Sequence, residues 1–363
     1  MSDQAWSTRM ADSVMSRHPV ITGKWAYEWG LLLKAILEVW RSTKQPVYFD
    51  YVKTNVDRFI GADGSINTYN PREYNLDNIN PGKLLFSLYQ ITGDERYRRA
   101  LALLKQQLDQ HPRTSEGGFW HKQIYPHQMW LDGIYMASPF LAEYGSVFND
   151  PACFDDVVRQ ITLIESHTRD PQTALLYHGW DETGNQQWAN PQTGCSPHFW
   201  GRAIGWYLMA IPDVLEHLPQ EHPGRNPLVA IFQKTVSAIQ GVQDQTSGLW
   251  YQVLDRGNAP GNYLEASASC MFVYAIAKGI RQGYLEMRLC EVAQRAYQGI
   301  LNTFITVDHQ AQVNLNQICS VAGLGGTPYR DGSFEYYISE PVVTNDHKGV
   351  GPFILASIEM ERL

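Results

Sequence analysis

The sequence predicts an all-α protein, a single (α/α)6 barrel in which six helical hairpins close into a ring. Three observations predict it. Apolar residues recur at helical spacing, long alternating runs are absent, and a polar residue repeatedly opens an unusually apolar helix. An N-terminal amphipathic helix is expected near Ala5–Arg17. Trp29–Trp40 carries Leu32, Leu33, Ile36, Leu37 and Trp40 at i, i+3, i+4 spacing, with Lys34 and Glu38 between them. Gly82–Tyr89 follows the turn-rich Asn75–Pro81. Asp94–Leu108 opens with an acidic first turn and runs Tyr97, Leu101, Leu104, Leu108, the pattern of an outer helix. Similar segments continue at Leu131–Tyr144, Phe154–His167, Trp200–Leu218, Leu228–Val242, Ala266–Arg281, Glu286–Phe304 and Val350–Glu361. Short aromatic stretches such as Phe119-Trp120 and Leu249-Trp250-Tyr251 fall in the connections.

The repeat carries more information than any one helix. A Gly-apolar-aromatic loop precedes each polar opener: Gly64-Ser65-Ile66 leads to Asp77, and Gly118-Phe119-Trp120 leads to Asp132. Leu176-Tyr177-His178 leads to Arg202, Gly248-Leu249-Trp250-Tyr251 to Glu265, and Gly332-Ser333-Phe334 to Asn345 and Lys348. The spacing is roughly 55–85 residues, as a hairpin with long loops requires. Apolar and amphipathic helices number about six each, which fits a closed ring with the N-terminal helix beside the last inner one. In such a ring the openers all point at one mouth. The alternative is an open helical array whose polar openers only cap helices.

Composition narrows the functional classes. Hydrophobic residues make up 44% and charged residues 18%, as in ordinary globular proteins. At 363 residues two domains would be possible, but no linker or charge run divides the chain, so one domain over residues 1–363 is expected. A formal charge of -8 argues against nucleic acid, which needs a basic face. It leaves an anionic sugar open, because one Arg or Lys can bind a carboxylate. Cys153, Cys195, Cys270, Cys290 and Cys319 are odd in number without CxxC spacing, so buried free thiols are expected rather than disulfides or zinc. Met1–Val20 lacks a signal-peptide core and no apolar run reaches membrane-spanning length. A cytoplasmic protein without membrane partners is expected.

Among the openers, Asp77 in Asn75-Leu76-Asp77-Asn78-Ile79-Asn80-Pro81 reads either as a cap ahead of Gly82–Tyr89 or as an acid. Asp132 has no polar companion in its turn; it follows Trp130-Leu131 and precedes Gly133-Ile134-Tyr135-Met136. An ionised carboxylate there is costly, and a raised pKa would suit a proton donor. Trp120, Trp130, Tyr177, Trp180, Trp188, Trp200, Trp206, Trp250 and Tyr251 crowd the same loops, where rings could stack on sugar faces or fill helix seams. His121, His127, His178 and His198 lie in loops without metal-ligand spacing, so no metal and no cofactor is expected. No GxSxG elbow, P-loop or GxGxxG occurs, and Gly323-Leu324-Gly325-Gly326-Thr327 reads as a mobile loop.

Longer motifs go further. Ser115-Glu116-Gly117-Gly118-Phe119-Trp120-His121-Lys122 and Tyr125-Pro126-His127-Gln128-Met129-Trp130-Leu131-Asp132-Gly133 resemble the unsaturated rhamnogalacturonyl hydrolases, glycoside hydrolase family 105. So do Tyr177-His178-Gly179-Trp180-Asp181, Phe199-Trp200-Gly201-Arg202-Ala203-Ile204-Gly205-Trp206-Tyr207 and Gly349-Val350-Gly351-Pro352-Phe353. The likeness covers nearly the whole chain.

The resemblance implies the same (α/α)6 barrel and an enzyme that removes a 4,5-unsaturated galacturonosyl residue from the non-reducing end of pectin-derived oligosaccharides. It also implies hydration of the vinyl ether rather than attack at the anomeric carbon. Protonated Asp132 gives its proton to C4, positive charge develops at C5, and water adds there with the acid pair taking its proton. The hemiketal then collapses and frees the aglycone. Asp77, Asp132 and His178 carry over as catalytic residues. Trp130, Trp200, Arg202, Trp206, His121, Lys122, Met136 and Tyr27 carry over as substrate-binding residues, with Arg202 holding the uronate. The first inner helix departs from the family after Tyr27, at Glu28-Trp29. The competing readings are an unsaturated glucuronyl hydrolase acting on glycosaminoglycan fragments, a sugar epimerase on the same barrel, and a non-enzymatic carbohydrate-binding barrel.

Overall fold

What each helix buries sorts the helices into two layers. The computed structural model describes residues 4–363, and thirteen α-helices lie among them: α1 (Trp6–Arg17), α2 (Tyr27–Thr43), α3 (Pro46–Asp57), α4 (Lys83–Thr92), α5 (Glu95–Asp109), α6 (Leu131–Phe148), α7 (Ala152–Thr168), α8 (Gly201–Leu215), α9 (Arg225–Gly241), α10 (Ala266–Arg281), α11 (Cys290–Thr303), α12 (Phe334–Ser339) and α13 (His347–Arg362). α8 buries 14 of its 15 residues and α10 15 of 16, so both are enclosed on all sides. α5 buries only 6 of 15 and α11 only 5 of 14, one apolar stripe each. The enclosed helices pack in succession, α2 on α4, α4 on α6, α6 on α8, α8 on α10, α10 on α13, and α13 on α2. The amphipathic helices α3, α5, α7, α9, α11 and α1 cover them from outside in the same order.

Close approach between inner helices depends on small residues. A Cβ added to Gly205 of α8 would lie 2.9 Å from the Cβ of Met271 on α10, so any larger residue would push the two helices apart.

Six strands of two or three residues sit in the connections: β1 (Gln128–Trp130), β2 (Gly179–Asp181), β3 (Ile305–Val307), β4 (Val313–Leu315), β5 (Ile318–Cys319) and β6 (Val342–Val343). They form three antiparallel pairs, β1 with β2, β3 with β4 and β5 with β6. All five cysteines are free thiols; four are buried and Cys290 is half-buried.

Two expectations need correction. α3 was not anticipated, although Tyr48, Tyr51, Val52 and Val56 are its buried apolar face and Pro46 opens it at a position where its missing N–H costs nothing. The segment Gly323–Thr327 is folded rather than loose. Gly325 and Arg330 exchange backbone hydrogen bonds, and Leu324 is buried against Trp130, Trp188 and Ala189.

Buried histidines make the fold acid-sensitive. Burial pushes His111, His121, His217 and His347 each down to about 4 from an ordinary 6.5. The unfolded chain therefore binds protons that the folded chain refuses. The stabilisation is complete above 6.5 and is lost as pH falls toward 4. Glu143, raised to about 7 by burial, works in the opposite direction and offsets one of them. Between pH 7 and 5 stability should fall by ~1.4 kcal/mol per pH unit for each net proton. Urea midpoints at the two pH values check this, and equal midpoints would refute it.

Candidate active site

The local pairing of β1 with β2 builds the centre of the site. Trp130 faces Gly179 across this ribbon, and the Leu131 N–H donates to the His178 carbonyl at 3.0 Å. Asp132 lies in the first turn of α6, so the ribbon places its Oδ2 3.1 Å from His178 Nε2. The approach is close enough for an ion pair but off the hydrogen-bond direction. Both atoms are thus buried without a hydrogen-bond partner among the described residues. On its other side His178 Nδ1 hydrogen-bonds the Tyr337 hydroxyl at 2.8 Å. The imidazole is walled by Trp200, 4.8 Å away between centroids, and by Trp130 at 5.5 Å.

This corrects the expected charge on Asp132. Burial does act to raise its carboxyl, but His178 beside it, with a contribution from His121, outweighs burial and holds the group below the ordinary carboxylate range. The sequence showed only the apolar turn; the imidazole arrives from a distant loop.

Asp77 is not a cap of α4. It lies in a 3-10 turn, Leu76–Asn78, whose cap is the Asn75 side chain, which accepts from the Asp77 N–H at 3.0 Å. Its carboxylate is left to accept from Lys122 Nζ at 2.6 Å and to face His121 Nε2 at 3.6 Å. Burial opposes the charge on Lys122, but Asp77 outweighs it and keeps the ammonium charged. His121, also fully enclosed, stacks on Trp130 with centroids 4.4 Å apart, and Tyr125 stacks on Trp130 at 4.9 Å.

Arg202, in the first turn of α8, is 1% exposed. Its Nη1 donates to Ser267 Oγ at 3.2 Å and to the Cys319 carbonyl at 2.5 Å, while Nε has no partner among the described residues. Nε is therefore a buried donor left without a partner among these residues. Glu265 caps α10, accepting from Ser267 N–H at 3.1 Å and Ala268 N–H at 2.7 Å, and also accepts from Cys319 N–H at 2.9 Å. It holds the two groups that hold Arg202, so its role here is to position the guanidinium.

The remaining candidates divide by depth. The Tyr27 hydroxyl is kept protonated by burial and by the charges of Glu28, Asp77 and Asp132, which places α2 at the same site. Its ring meets Trp206 edge-on at 6.2 Å. Trp206 is 1% exposed and stacks on Tyr135 at 5.1 Å, forming the floor. Met136 is buried in the apolar core, one turn into α6 below Asp132. Asn345 and Lys348 are occupied structurally: Asn345 accepts from the Leu315 N–H at 3.0 Å, and Lys348 pairs with the α13 cap Asp346 at 2.8 Å. Tyr337 and Glu28 were missed by sequence reasoning. The only signal for Tyr337 was its place just after the Gly332-Ser333-Phe334 loop.

The enclosed helices open on a buried carboxylate–imidazole pair, a second acid and a guanidinium between tryptophans, a set suited to a carbohydrate-active enzyme, and this one is a glycoside hydrolase. Residues 6–363 match the model of Glycosyl Hydrolase Family 88, and the chain belongs to that family. A solved structure of a family 105 glycoside hydrolase from C. acetobutylicum ATCC 824 is 51% identical, with a TM-score of 0.97 over 99% of this chain and 100% of that one. The unsaturated rhamnogalacturonyl hydrolase YesR of Bacillus subtilis (strain 168) is 29% identical over 280 residues, 76% of each chain. The unsaturated glucuronyl hydrolase of Bacillus sp. GL1 shares the fold, with a TM-score of 0.70 at 13% identity over 98% of this chain and 95% of that one. The expected likeness to the unsaturated rhamnogalacturonyl hydrolases is thereby borne out.

Proposed function

We propose that this hydrolase releases 4,5-unsaturated galacturonic acid from the non-reducing end of rhamnogalacturonan oligosaccharides by hydrating the C4=C5 double bond. The observation that carries the reading is the buried Asp132–His178 pair together with Arg202, whose Nε has no partner. An unsaturated uronate brings one carboxylate, which Arg202 receives through its free edge. That negative charge raises Asp132, which takes up a proton in the complex. Asp132 then protonates C4. Cationic character grows at C5 beside the ring oxygen, water adds there, and Asp132 and Asp77 take its proton. Trp130 and Trp200 pack against the sugar, Trp206 forms the floor, and Tyr27, His121 and Lys122 hold its hydroxyls. Met136 supports the floor from below.

In the same reading the six enclosed helices form a closed (α/α)6 barrel in one domain over residues 1–363. Supporting this, their succession of packings returns from α13 to α2. No described helix is long and apolar enough to cross a membrane. We place the enzyme in the cytoplasm, acting on oligosaccharides already cut short.

The glucuronyl reading uses the same chemistry on the same unsaturated uronate, because the C4=C5 double bond erases the C4 configuration that separates galacturonate from glucuronate. The two substrates differ in linkage and aglycone. An unsaturated galacturonosyl-rhamnose disaccharide and an unsaturated chondroitin disaccharide, followed by loss of the double bond's ultraviolet absorbance, separate the two. The first should have the higher kcat/KM by about a hundredfold, the order that differing contacts with the aglycone supply. A faster chondroitin reaction would transfer the enzyme to the glucuronyl class.

A further inference from the structure

A second polar cavity lies at the other end of the helix ring, around the C-terminal halves of α2, α6, α8, α10 and α13. It encloses about 90 Å³, and six Lys or Arg and five carboxylates line it. Most of these charges answer one another. Lys34 and Arg41 pair with Glu38, Lys278 with Asp213 and Glu216, and Arg281 and Arg362 with Glu359. Lys83 is left over.

Lys83 is 3% exposed, and its Nζ has no hydrogen-bond partner among the described residues. Its ammonium rests 3.6 Å from the centroid of Tyr135, and that ring also stacks on the active-site floor residue Trp206. Leaving an ammonium unpaired in the interior costs several kcal/mol. The helix dipole does not compensate for it. Arg41, Arg281 and Arg362 stand in last turns, where a cation is favoured, but Lys83 is the first residue of α4, where an anion is favoured. The other unpaired group, Glu143, meets only His217, at 3.9 Å. Burial raises Glu143 to about 7, and burial lowers Lys83 to about 7 although Asp213 and Glu143 act from farther off to raise it. The rim is open, with the Arg41, Arg281 and Arg362 side chains about a third exposed at 36%, 32% and 33%.

We infer that this cavity is a binding site for a small oxyanion of phosphate size, received by the unpaired Lys83 ammonium with the rim arginines at its entrance, and separate from the sugar site. The enclosed space suits one such anion, and a bound anion supplies the partner that Lys83 lacks.

Inorganic phosphate is the probe, titrated calorimetrically and by thermal shift against chloride at constant ionic strength. Lys83→Met keeps the volume and removes an unpaired charge, so this variant should fold at least as stably as wild type. Phosphate should stabilise the wild type, and its affinity should fall about tenfold or more in Lys83→Met. Because the sugar site also holds cations, Lys122→Met serves as the control and should keep the phosphate response. Failure of phosphate to bind the wild type, or full binding to Lys83→Met, would overturn the inference. Loss of binding in Lys122→Met alone would do the same, by assigning the anion to the sugar site.

Discussion

Asp132→Asn is expected to bind the unsaturated galacturonosyl-rhamnose disaccharide with near wild-type affinity and to turn it over about 10³-fold more slowly or worse. The substitution keeps shape and hydrogen-bonding capacity but removes the proton that reaches C4 in the proposed reaction. It also changes the partner of His178, whose Nε2 lies 3.1 Å from the carboxylate. The measurement is a pair: dissociation constant by calorimetry, and kcat by loss of ultraviolet absorbance. Wild-type turnover in the variant would remove Asp132 from the mechanism and move the proton donor to another group of the site. Lost binding together with lost turnover would make the residue a ligand rather than the acid.

Arg202→Lys should be the second most damaging change, lowering kcat/KM by about a hundredfold, with most of the effect in KM. Lysine keeps the charge but offers a point donor in place of a planar fork. The native guanidinium uses Nη1 to hold Ser267 Oγ and the Cys319 carbonyl and keeps Nε free. A lysine cannot serve both sides at once. Kinetics on the unsaturated disaccharide give the split between KM and kcat. A near-normal kcat/KM would show that the uronate carboxylate is received elsewhere, with Lys122 the next candidate.

The helical layers were largely legible because burial periodicity is a local property. The stretches from Leu131, Ala266 and Trp200 are apolar on every side, and the stretch from Asp94 is apolar on one, which separated enclosed helices from covering ones before any contact was known. α3 was missed because its buried face relies on two tyrosines, which serve equally well as exposed loop residues. Gly323–Thr327 was misread for a related reason. Glycine content reports conformational freedom, whereas Leu324 packing on Trp130 and Trp188 is decided by distant partners.

The site followed the same division. Asp132, Asp77, Arg202 and Glu265 could be singled out as openers, yet their roles could not be told apart locally. Glu265 caps α10 and supports Arg202; Asp77 caps nothing and faces Lys122.

The sequence by itself determined the helical class, the enclosed helices and most of the covering ones, and the polar residues that begin the enclosed helices, because each depends on neighbours within a turn or two. Only the tertiary structure decided which of those residues meet. It set His178 beside Asp132 through the β1–β2 ribbon, placed Tyr337 behind the imidazole, and left Lys83 Nζ without a hydrogen-bond partner among the described residues. These are electrostatic and hydrogen-bonding relations between groups far apart along the chain. Their sign depends on distances of a few ångströms that no local pattern encodes.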